Sequence, residues 1–234
     1  MITFKEDVDL TGYSVIIPSI CVGNVAQLAV DLIIATLEMK RIGSGYHNAC
    51  MPIMGPPAYH HDNTKTVSLE LYQDAEKKLV VFQLRSPLVS VYIDEFHKDL
   101  LKFITTNKIS KAYILSSSHA YERHDVNSSL FAYMQSGEFI NENLDQYSWQ
   151  KYNKKIIFGG GNAKKLFDEC INSNIPAFLL FNYVSEGDNS VEASQLVGEI
   201  SKVVNLFEKD VNVKLVIPIS WQFLFGNSIP DLIF

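Results

Sequence analysis

Serine, histidine and aspartate, which together form the nucleophilic triad of many hydrolases, occur close together in one stretch of the sequence. Residues 116–119 read Ser-Ser-Ser-His, and His124 and Asp125 follow. In a hydrolase the serine attacks a carbonyl carbon and the histidine accepts its proton. Neighbouring residues in a turn rarely face each other, and the sequence has no Gly-x-Ser-x-Gly elbow. A serine hydrolase using Ser118 and His119 therefore stands as an alternative, and turn formation or helix capping is favoured.

A second group with chemical potential is the run Gly159-Gly160-Gly161, which follows a predicted strand and precedes a predicted helix. Backbone amides at such a place can hold a phosphate, aided by the helix dipole. The Lys-Ser or Lys-Thr of a P-loop is absent, and Lys164 stands where a dinucleotide-binding loop needs glycine. A tight turn that brings the helix close to the sheet is favoured, with phosphate handling by the 159–161 loop kept as the other enzyme alternative.

Two further polar motifs have structural interpretations. Residues 186–189, Glu-Gly-Asp-Asn, are typical of a helix N-terminus, and the histidines lack the spacing of metal ligands. Arg85 ends an apolar strand, where it binds an anion or, as we favour, a carboxylate of the same domain. We therefore expect no metal, no cofactor and no enzymatic activity.

The composition excludes several classes of partner. The chain has 234 residues, 47% of them hydrophobic, and a formal net charge of −6, which disfavours nucleic acid and anionic membranes. Residues 11–30 are uncharged, but Pro18, Gly23 and Asn24 indicate a strand, a turn and a helix rather than a membrane span. The three cysteines are far apart, and the acidic N-terminus does not resemble a signal peptide. We expect the protein in the cytoplasm and the nucleus.

Strand and helix patterns alternate along the chain, which predicts α/β architecture. The predicted order is a strand over 13–17, a helix from 25 with Asn24 as N-cap that is ended by Gly43 and Gly45, an irregular connection over 47–63, an edge strand over 66–73, an interior strand over 79–84, a helix around 96–104, a strand over 112–115, a polar turn over 116–125, a strand over 155–158, a helix over 163–170, a strand over 177–184 and a helix over 189–207.

These elements predict a three-layer α/β/α sandwich with a mostly parallel central sheet. Residues 1–212 form one domain in this interpretation, with a mobile insertion near residues 135–155. Residues 213–234 form an apolar C-terminal tail interrupted by Pro218, Gly226 and Pro230.

The end of this tail is predicted to bind a partner. Residues 221–225 are equally consistent with packing on the domain and with exposure. Burying Leu232, Ile233 and Phe234 in the protein's own core would desolvate the terminal carboxylate, and a partner pocket avoids that cost. Two or three such side chains contribute about 1.5–3 kcal/mol each before ordering, so a second contact is needed.

Several short segments, occurring in the same order, resemble the proteasome assembly chaperone family. They are Val-Gly-Asn-Val-Ala-Gln-Leu-Ala at 22–29, Gln-Leu-Arg-Ser at 83–86, Leu-Ser-Ser-Ser-His at 115–119, the glycines at 159–161, Ser-Glu-Gly-Asp-Asn at 185–189, Ser-Trp at 220–221 and Leu-Phe-Gly at 224–226. The resemblance covers nearly the whole chain and is weakest at 47–64 and 135–155.

The resemblance implies a non-enzymatic chaperone that pairs with proteasome assembly chaperone 1 and holds proteasome α-subunits while the α-ring assembles. It also implies C-termini of the form hydrophobic-tyrosine-any residue that dock between α-subunits. Leu232 and Phe234 fit this form, whereas Ile233 replaces the tyrosine. We therefore interpret this tail as a minor anchor and the partner chaperone's tail as the major one. A heterodimer scaffold unrelated to proteasomes is a third interpretation.

Overall fold

The computed structural model describes residues 2–4, 8–125, 127–141, 144–207 and 213–223. The strands are β1 (Ile2–Phe4), β2 (Ser14–Pro18), β3 (Lys40–Gly45), β4 (Met54–Gly55), β5 (Thr66–Val67), β6 (Leu69–Asp74), β7 (Leu79–Leu84), β8 (Lys111–His119), β9 (Phe131–Gln135), β10 (Gln150–Lys151) and β11 (Ala177–Val184). The α-helices are α1 (Val25–Thr36), α2 (Ile93–Thr106), α3 (Ala163–Asn172) and α4 (Ser190–Val204).

Within the described residues, nine strands form one sheet in the order β1-β3-β6-β7-β2-β8-β11-β9-β10. The four central strands β7, β2, β8 and β11 are mutually parallel. Antiparallel pairs flank them, with β6 beside β7 and β9 beside β11. The α/β class with a parallel centre is confirmed, and the antiparallel flanks are an addition to it.

Helices cover both faces of this sheet, which gives the predicted three layers. One buried apolar cluster contains the inner sides of α1 and α4, and the other contains those of α2 and α3. All six residues of β7 are buried, as expected for a strand covered on both faces. Residues of β8 alternate between the clusters, with Ile114 in one and Leu115 in the other.

The prediction of an edge strand over 66–73 is wrong, because β6 lies between β3 and β7. The alternation that suggested a solvated face is real. However, Glu70 on that face is completely buried and ion-paired with Arg41 and Arg85, so the polar face meets charged side chains instead of water.

Two other boundaries differ from the predictions. Residues 116–119 belong to β8 rather than to a turn, and they pair with the end of β11. Residues 155–158 form an irregular segment instead of a strand, with Ile157 buried and its two neighbours exposed.

The predicted insertion around 135–155 includes β10, which pairs with β9; the mobility of this insertion stays a prediction. The predicted domain boundary at 212 falls outside the described residues.

The uncharged stretch 11–30 forms β2, a short 3-10 helix over Val22–Asn24 and the first half of α1. Among the described helices, none has both the length and the apolar character needed to cross a bilayer. Asn24 occupies the N-cap position of α1, as predicted, but it has a left-handed conformation and its side chain makes no capping hydrogen bond. The predicted end of this helix at Gly43 and Gly45 is wrong, because residues 40–45 form β3, which pairs with β1 and β6.

Candidate partner-binding surface

The strand-end serine set, Ser116, Ser117 and Ser118, stabilises the meeting point of three segments. The Ser116 and Ser118 hydroxyls donate to the carbonyls of Gly160 (3.1 Å) and Phe158 (2.8 Å). The Ser117 hydroxyl donates to the carbonyl of Val22 at 2.6 Å. Each hydroxyl hydrogen is donated to a backbone carbonyl oxygen. The three serines therefore make structural hydrogen bonds, and among the described residues none of them is paired with a side chain that could act as a general base.

The histidine of the alternative hydrolase interpretation does not complete a triad with these serines. Ser118 and His119 are consecutive in β8, so their side chains leave opposite faces of the sheet. The His119 ring stacks on Tyr121, with centroids 4.8 Å apart. His124 and Asp125 are exposed.

The glycine run at 159–161 forms the predicted tight turn. Gly161 has a φ of +58°, and a Cβ there would lie 2.1 Å from the carbonyl oxygen of Ile20. The carbonyl of Gly159 also accepts a hydrogen bond from the backbone nitrogen of Val22 at 2.7 Å. The backbone of this turn therefore contacts the chain leaving β2, as the close-packing interpretation expects.

The residues at 186–189 arrange the start of α4. Asp188 Oδ1 accepts the amide hydrogen of Ser190 at 3.0 Å, and this bond lowers the pKa of the Asp188 carboxyl. Asn189 Nδ2 donates to the carbonyls of Ser185 and Gly187. Across the described ranges, no group of three or more His, Cys, Asp or Glu side chains is placed to hold a metal ion.

Arg85 meets carboxylates of its own domain, as favoured from the sequence. Its Nη2 lies 3.1 Å from Asp31 Oδ1, and its Nε lies 2.8 Å from Glu70 Oε2. Arg41 Nη1 lies 3.1 Å from the other Glu70 oxygen. We call Asp31, Arg41, Glu70 and Arg85 the ionic cluster; the first three are buried and Arg85 is 14% exposed. The cluster joins α1, β3, β6 and the end of β7.

Uncharged groups add hydrogen bonds to the ionic cluster. Asp31 Oδ1 accepts from the Tyr59 hydroxyl at 2.5 Å and from Gln83 Nε2 at 2.6 Å. Burial, together with the Asp31 charge, raises the pKa of Tyr59 well above its ordinary value, which keeps the phenol protonated as a donor. Burial alone would lower the pKa of Arg85, but the surrounding anions raise it, so the guanidinium stays charged.

The ionic cluster also contacts the C-terminal segment 213–223. The Trp221 indole nitrogen donates to Asp31 Oδ2 at 3.3 Å, and the Ser220 amide donates to the carbonyl of Ala58. Nearer its start, the Val216 amide donates to the Thr36 hydroxyl at 3.0 Å. Since Thr36 ends α1 and Asp31 lies earlier in it, the segment runs along α1 toward the helix N-terminus.

Trp221 therefore packs on the domain, which is one of the two expectations for residues 221–225; the residues after Phe223 lie outside the described ranges. The predicted binding residues Leu232, Ile233 and Phe234 lie there too, and their role stays a prediction. Around the last described turn, a cavity of about 380 Å³ is lined by Leu32, Val191, Leu215, Ile217, Trp221 and two serines of α4.

Large apolar side chains are exposed near the carboxyl ends of the central strands. One group follows β3 and β7, and its two chain segments are held together by the Val89 amide, which donates to the carbonyl of Ala49. Met54 is 71% exposed and Val91 is 80% exposed. We call this group the strand-end apolar surface; it consists of Tyr46, Met51, Ile53, Met54, Val89, Val91 and Tyr92.

A second exposed group, Tyr121, Leu130, Ile156 and Phe158, lies beyond β8 and β11 at the same end of the sheet. Contiguous exposed apolar side chains mark interaction sites in soluble proteins. The sequence did not predict either group, because apolar residues in irregular segments have no periodicity that separates exposure from burial. The sequence feature that could have indicated the first group is the irregular connection over 47–63, which contains methionine and proline residues.

Comparison with known proteins agrees with this architecture. The sequence profile of the PAC2 family matches residues 15–215. The chain is 31% identical to proteasome assembly chaperone 2 of Danio rerio, over 95% of both chains. It is 33% identical to proteasome assembly chaperone 2 of Homo sapiens, over 97% of this chain and 96% of the relative.

A solved structure gives the same result at the level of the fold. The crystal structure of Pyrococcus furiosus PbaA, described as an archaeal homolog of proteasome-assembly chaperone, superposes with a TM-score of 0.72 at 15% identity. The match covers 89% of this chain and 88% of PbaA. From the profile match and the extent of the identity, we conclude that this chain belongs to the PAC2 family.

Proposed function

We propose that this protein is a chaperone of proteasome assembly. In the proposal it pairs with proteasome assembly chaperone 1, binds proteasome α-subunits and promotes assembly of the α-ring. The observation that carries the proposal is the identity of about a third, over nearly the whole chain, to relatives named proteasome assembly chaperone 2.

The polar groups that suggested an enzyme support the same choice. The strand-end serine set bonds to backbone carbonyls, and the glycine turn at 159–161 packs against residues 20–22. The polar features at the carboxyl ends of the central strands thus have structural partners, while the apolar features there are exposed. A binding function uses the exposed features and does not require the serines to react.

We place the contact with proteasome assembly chaperone 1 on the strand-end apolar surface. Its methionine, valine, isoleucine and tyrosine side chains suit a stable interface, because burying them removes apolar area from water. Met side chains also adapt to the shape of a partner. The surface lies at the opposite side of the sheet end from Tyr121 and Phe158, which leaves that second group for an α-subunit.

The tail is the other proposed contact with α-subunits. Leu232, Ile233 and Phe234 enter a pocket on the α-ring, with the terminal carboxylate solvated or paired to a cation. The hydrogen bond from Trp221 to Asp31 holds the segment from which this tail continues. Fixing that segment reduces the chain entropy lost on docking, so a weak tail contributes more to affinity. We propose that the protein works where proteasomes assemble, in the cytoplasm and the nucleus.

Affinity purification from a native lysate tests the central proposal. The tagged full-length chain is expected to recover proteasome assembly chaperone 1 and α-subunits, in a complex that runs below the size of the mature proteasome on a native gel. The control is the variant Met54→Glu with Val91→Glu, which places charges in the strand-end apolar surface. It is expected to lose the partner chaperone; recovery of neither protein by the wild type would refute the proposal.

Two tail variants test the proposed anchor directly. Deleting residues 232–234 is expected to weaken binding to α-subunits when both chaperones are present, and to leave pairing unchanged. Ile233→Tyr supplies the missing phenol and is expected to strengthen α-subunit binding about two- to tenfold, the effect of one net hydrogen bond. Unchanged affinity in both variants, measured with purified components, would exclude an anchoring role for the tail.

A further inference from the structure

A cavity of about 310 Å³ opens between α2 and the sheet. Its walls are the apolar side chains of Phe4, Leu69, Phe82, Phe96, Leu100 and Phe103. The aromatic rings contact one another, with Phe103 stacked on Phe4 and edge-on to Phe82. This volume and lining are those of a site for a small organic molecule.

One polar atom in this apolar lining has no hydrogen-bond partner among the described residues. It is Nε2 of His47, whose side chain is only 5% exposed. Asp99 Oδ2 lies 3.8 Å from it, which is beyond hydrogen-bonding range. A buried polar group without a partner is destabilising, so it marks a place where a ligand would be favourable.

The hydrogen position on this imidazole follows from its other nitrogen. His47 Nδ1 accepts the backbone N–H of Ala49 at 3.0 Å, so in the neutral ring the hydrogen lies on Nε2. Burial lowers the pKa of His47, which favours that neutral ring. The atom that lacks a partner is therefore a donor, and it needs an oxygen or nitrogen acceptor.

Charges at the cavity define the acceptor further. Asp99 and Lys102 both line it, so the lining carries no net charge. A carboxylate placed within reach of His47 Nε2 would also lie close to the Asp99 carboxylate, which would repel it. A carbonyl or ether oxygen accepts the same hydrogen bond without that repulsion.

We propose that this cavity binds an uncharged apolar small molecule whose carbonyl or ether oxygen accepts the Nε2 hydrogen of His47. The ring system or alkyl chain of the ligand lies among the phenylalanine and leucine side chains. Thr106 and Asn107, at the end of α2, line the mouth. Binding at this site does not require the pairing and α-subunit contacts proposed above.

A neutral fluorescent ketone provides the test. Prodan consists of a naphthalene ring with one ketone and a dimethylamino group, and its emission shifts to the blue in apolar surroundings. Titrated into the full-length chain, it is expected to bind one molecule per chain. Dimethylaminonaphthalene, which lacks the ketone, is the matched ligand that keeps the ring and loses the acceptor.

The variant His47→Asn removes the donor at the cavity and retains an acceptor for the Ala49 amide, as in an Asx-turn. It is expected to weaken prodan about three- to tenfold, the effect of one hydrogen bond, and to leave dimethylaminonaphthalene unchanged. Equal losses for both compounds, or no loss for either, would overturn the proposal.

A second pair of variants keeps the proposal testable if His47→Asn does not fold. Thr106 is exposed at the mouth, so Thr106→Trp blocks entry without changing the core, while Thr106→Ser leaves the mouth open. Prodan binding is expected to be lost in the first and kept in the second. Unchanged binding by Thr106→Trp, or displacement of prodan by proteasome assembly chaperone 1, would overturn the proposal, the latter by showing a protein-docking pocket.

Discussion

The strand-end serine set and the ionic cluster are both polar groups buried beside apolar side chains, but they hold the fold by different means. Each serine makes a neutral hydrogen bond to a backbone carbonyl of the adjacent turn. The ionic cluster contains two cations and two anions, and each carboxylate has several donors. The first group joins neighbouring turns, whereas the second joins four elements and the C-terminal segment.

The two groups are expected to differ in how strongly a single substitution destabilises the fold. A lost hydroxyl at Ser116 or Ser118 leaves a carbonyl, that of Gly160 or Phe158, which still accepts a backbone amide. A lost carboxylate in the ionic cluster leaves two guanidinium groups with a single anion between them, which is strongly destabilising. The group that resembled a catalytic site is therefore the less sensitive of the two, and the variants below test this ranking.

The largest expected effect is that of Glu70→Ala. Glu70 is fully buried and pairs with both Arg41 and Arg85, so its loss takes the ion pair from buried Arg41 and leaves Arg85 with Asp31 alone. The free energy of unfolding is expected to fall by about 3–5 kcal/mol in urea denaturation. Glu76→Ala, in the exposed turn after β6, is the control and is expected to change stability by less than about 0.5 kcal/mol. Similar losses in both variants would refute the ranking.

The next effect concerns the turn that the serines contact. Gly161→Ala places a Cβ against the carbonyl oxygen of Ile20 in a left-handed conformation, and is expected to destabilise by about 2–4 kcal/mol. Gly12→Ala is the matched control, because Gly12 also has a positive φ but open space around it.

The Gly12→Ala control is expected to lower the free energy of unfolding by only about 1–2 kcal/mol, which is the cost of placing alanine in a left-handed conformation. Thermal unfolding of the two purified variants separates the cost of the contact with Ile20 from the cost of the left-handed backbone conformation. Equal losses would mean that the turn does not need its close approach to residue 20.

The sequence predicted the central elements well because their burial is periodic. Strand β7 has a continuous apolar pattern, and its observed bounds agree with the prediction. Helix α1 has a 3.6-residue apolar pattern and begins at the predicted residue, but it ends at Thr36 rather than at Gly43, because residues 40–45 form β3. The segment 155–158 shows the limit of this method. Its apolar run resembles a buried strand, but only Ile157 enters the core.

The ionic cluster could be predicted only in part. Arg85 at the end of an apolar strand indicated a carboxylate partner, but the partners Asp31 and Glu70 lie far away in the sequence. Glu70 alternates with apolar residues as a solvated strand residue does, since periodicity reports polarity and not the presence of water. Pairing across elements depends on topology, which one sequence does not specify.

A smaller effect is expected where the C-terminal segment meets the ionic cluster. Trp221→Phe keeps most of the apolar area and removes the hydrogen bond to Asp31, which retains its other donors. The expected loss of stability is about 1 kcal/mol, with faster proteolytic removal of the segment after residue 213.

Trp149→Phe is the control for this variant. Its indole donates to Glu199, whose carboxylate is partly exposed and can bond to water instead. A loss of about 0.5 kcal/mol and unchanged proteolysis of the C-terminal segment are expected. Faster cleavage in both variants would show that the Asp31 contact does not hold the segment specifically.

The smallest effect is predicted for Ser118→Ala. The carbonyl of Phe158 loses one donor but still accepts the backbone amide of His119 at 3.3 Å, so it is not left without a partner. The expected loss is about 0.5 kcal/mol, and binding to α-subunits is expected to be unchanged. Ser117→Ala, which removes the bond to Val22, is the matched substitution on the other face of β8. Labelling of the wild type by a serine-directed fluorophosphonate, abolished by Ser118→Ala, would instead make the strand-end serine set a reactive site and reverse the comparison with the ionic cluster.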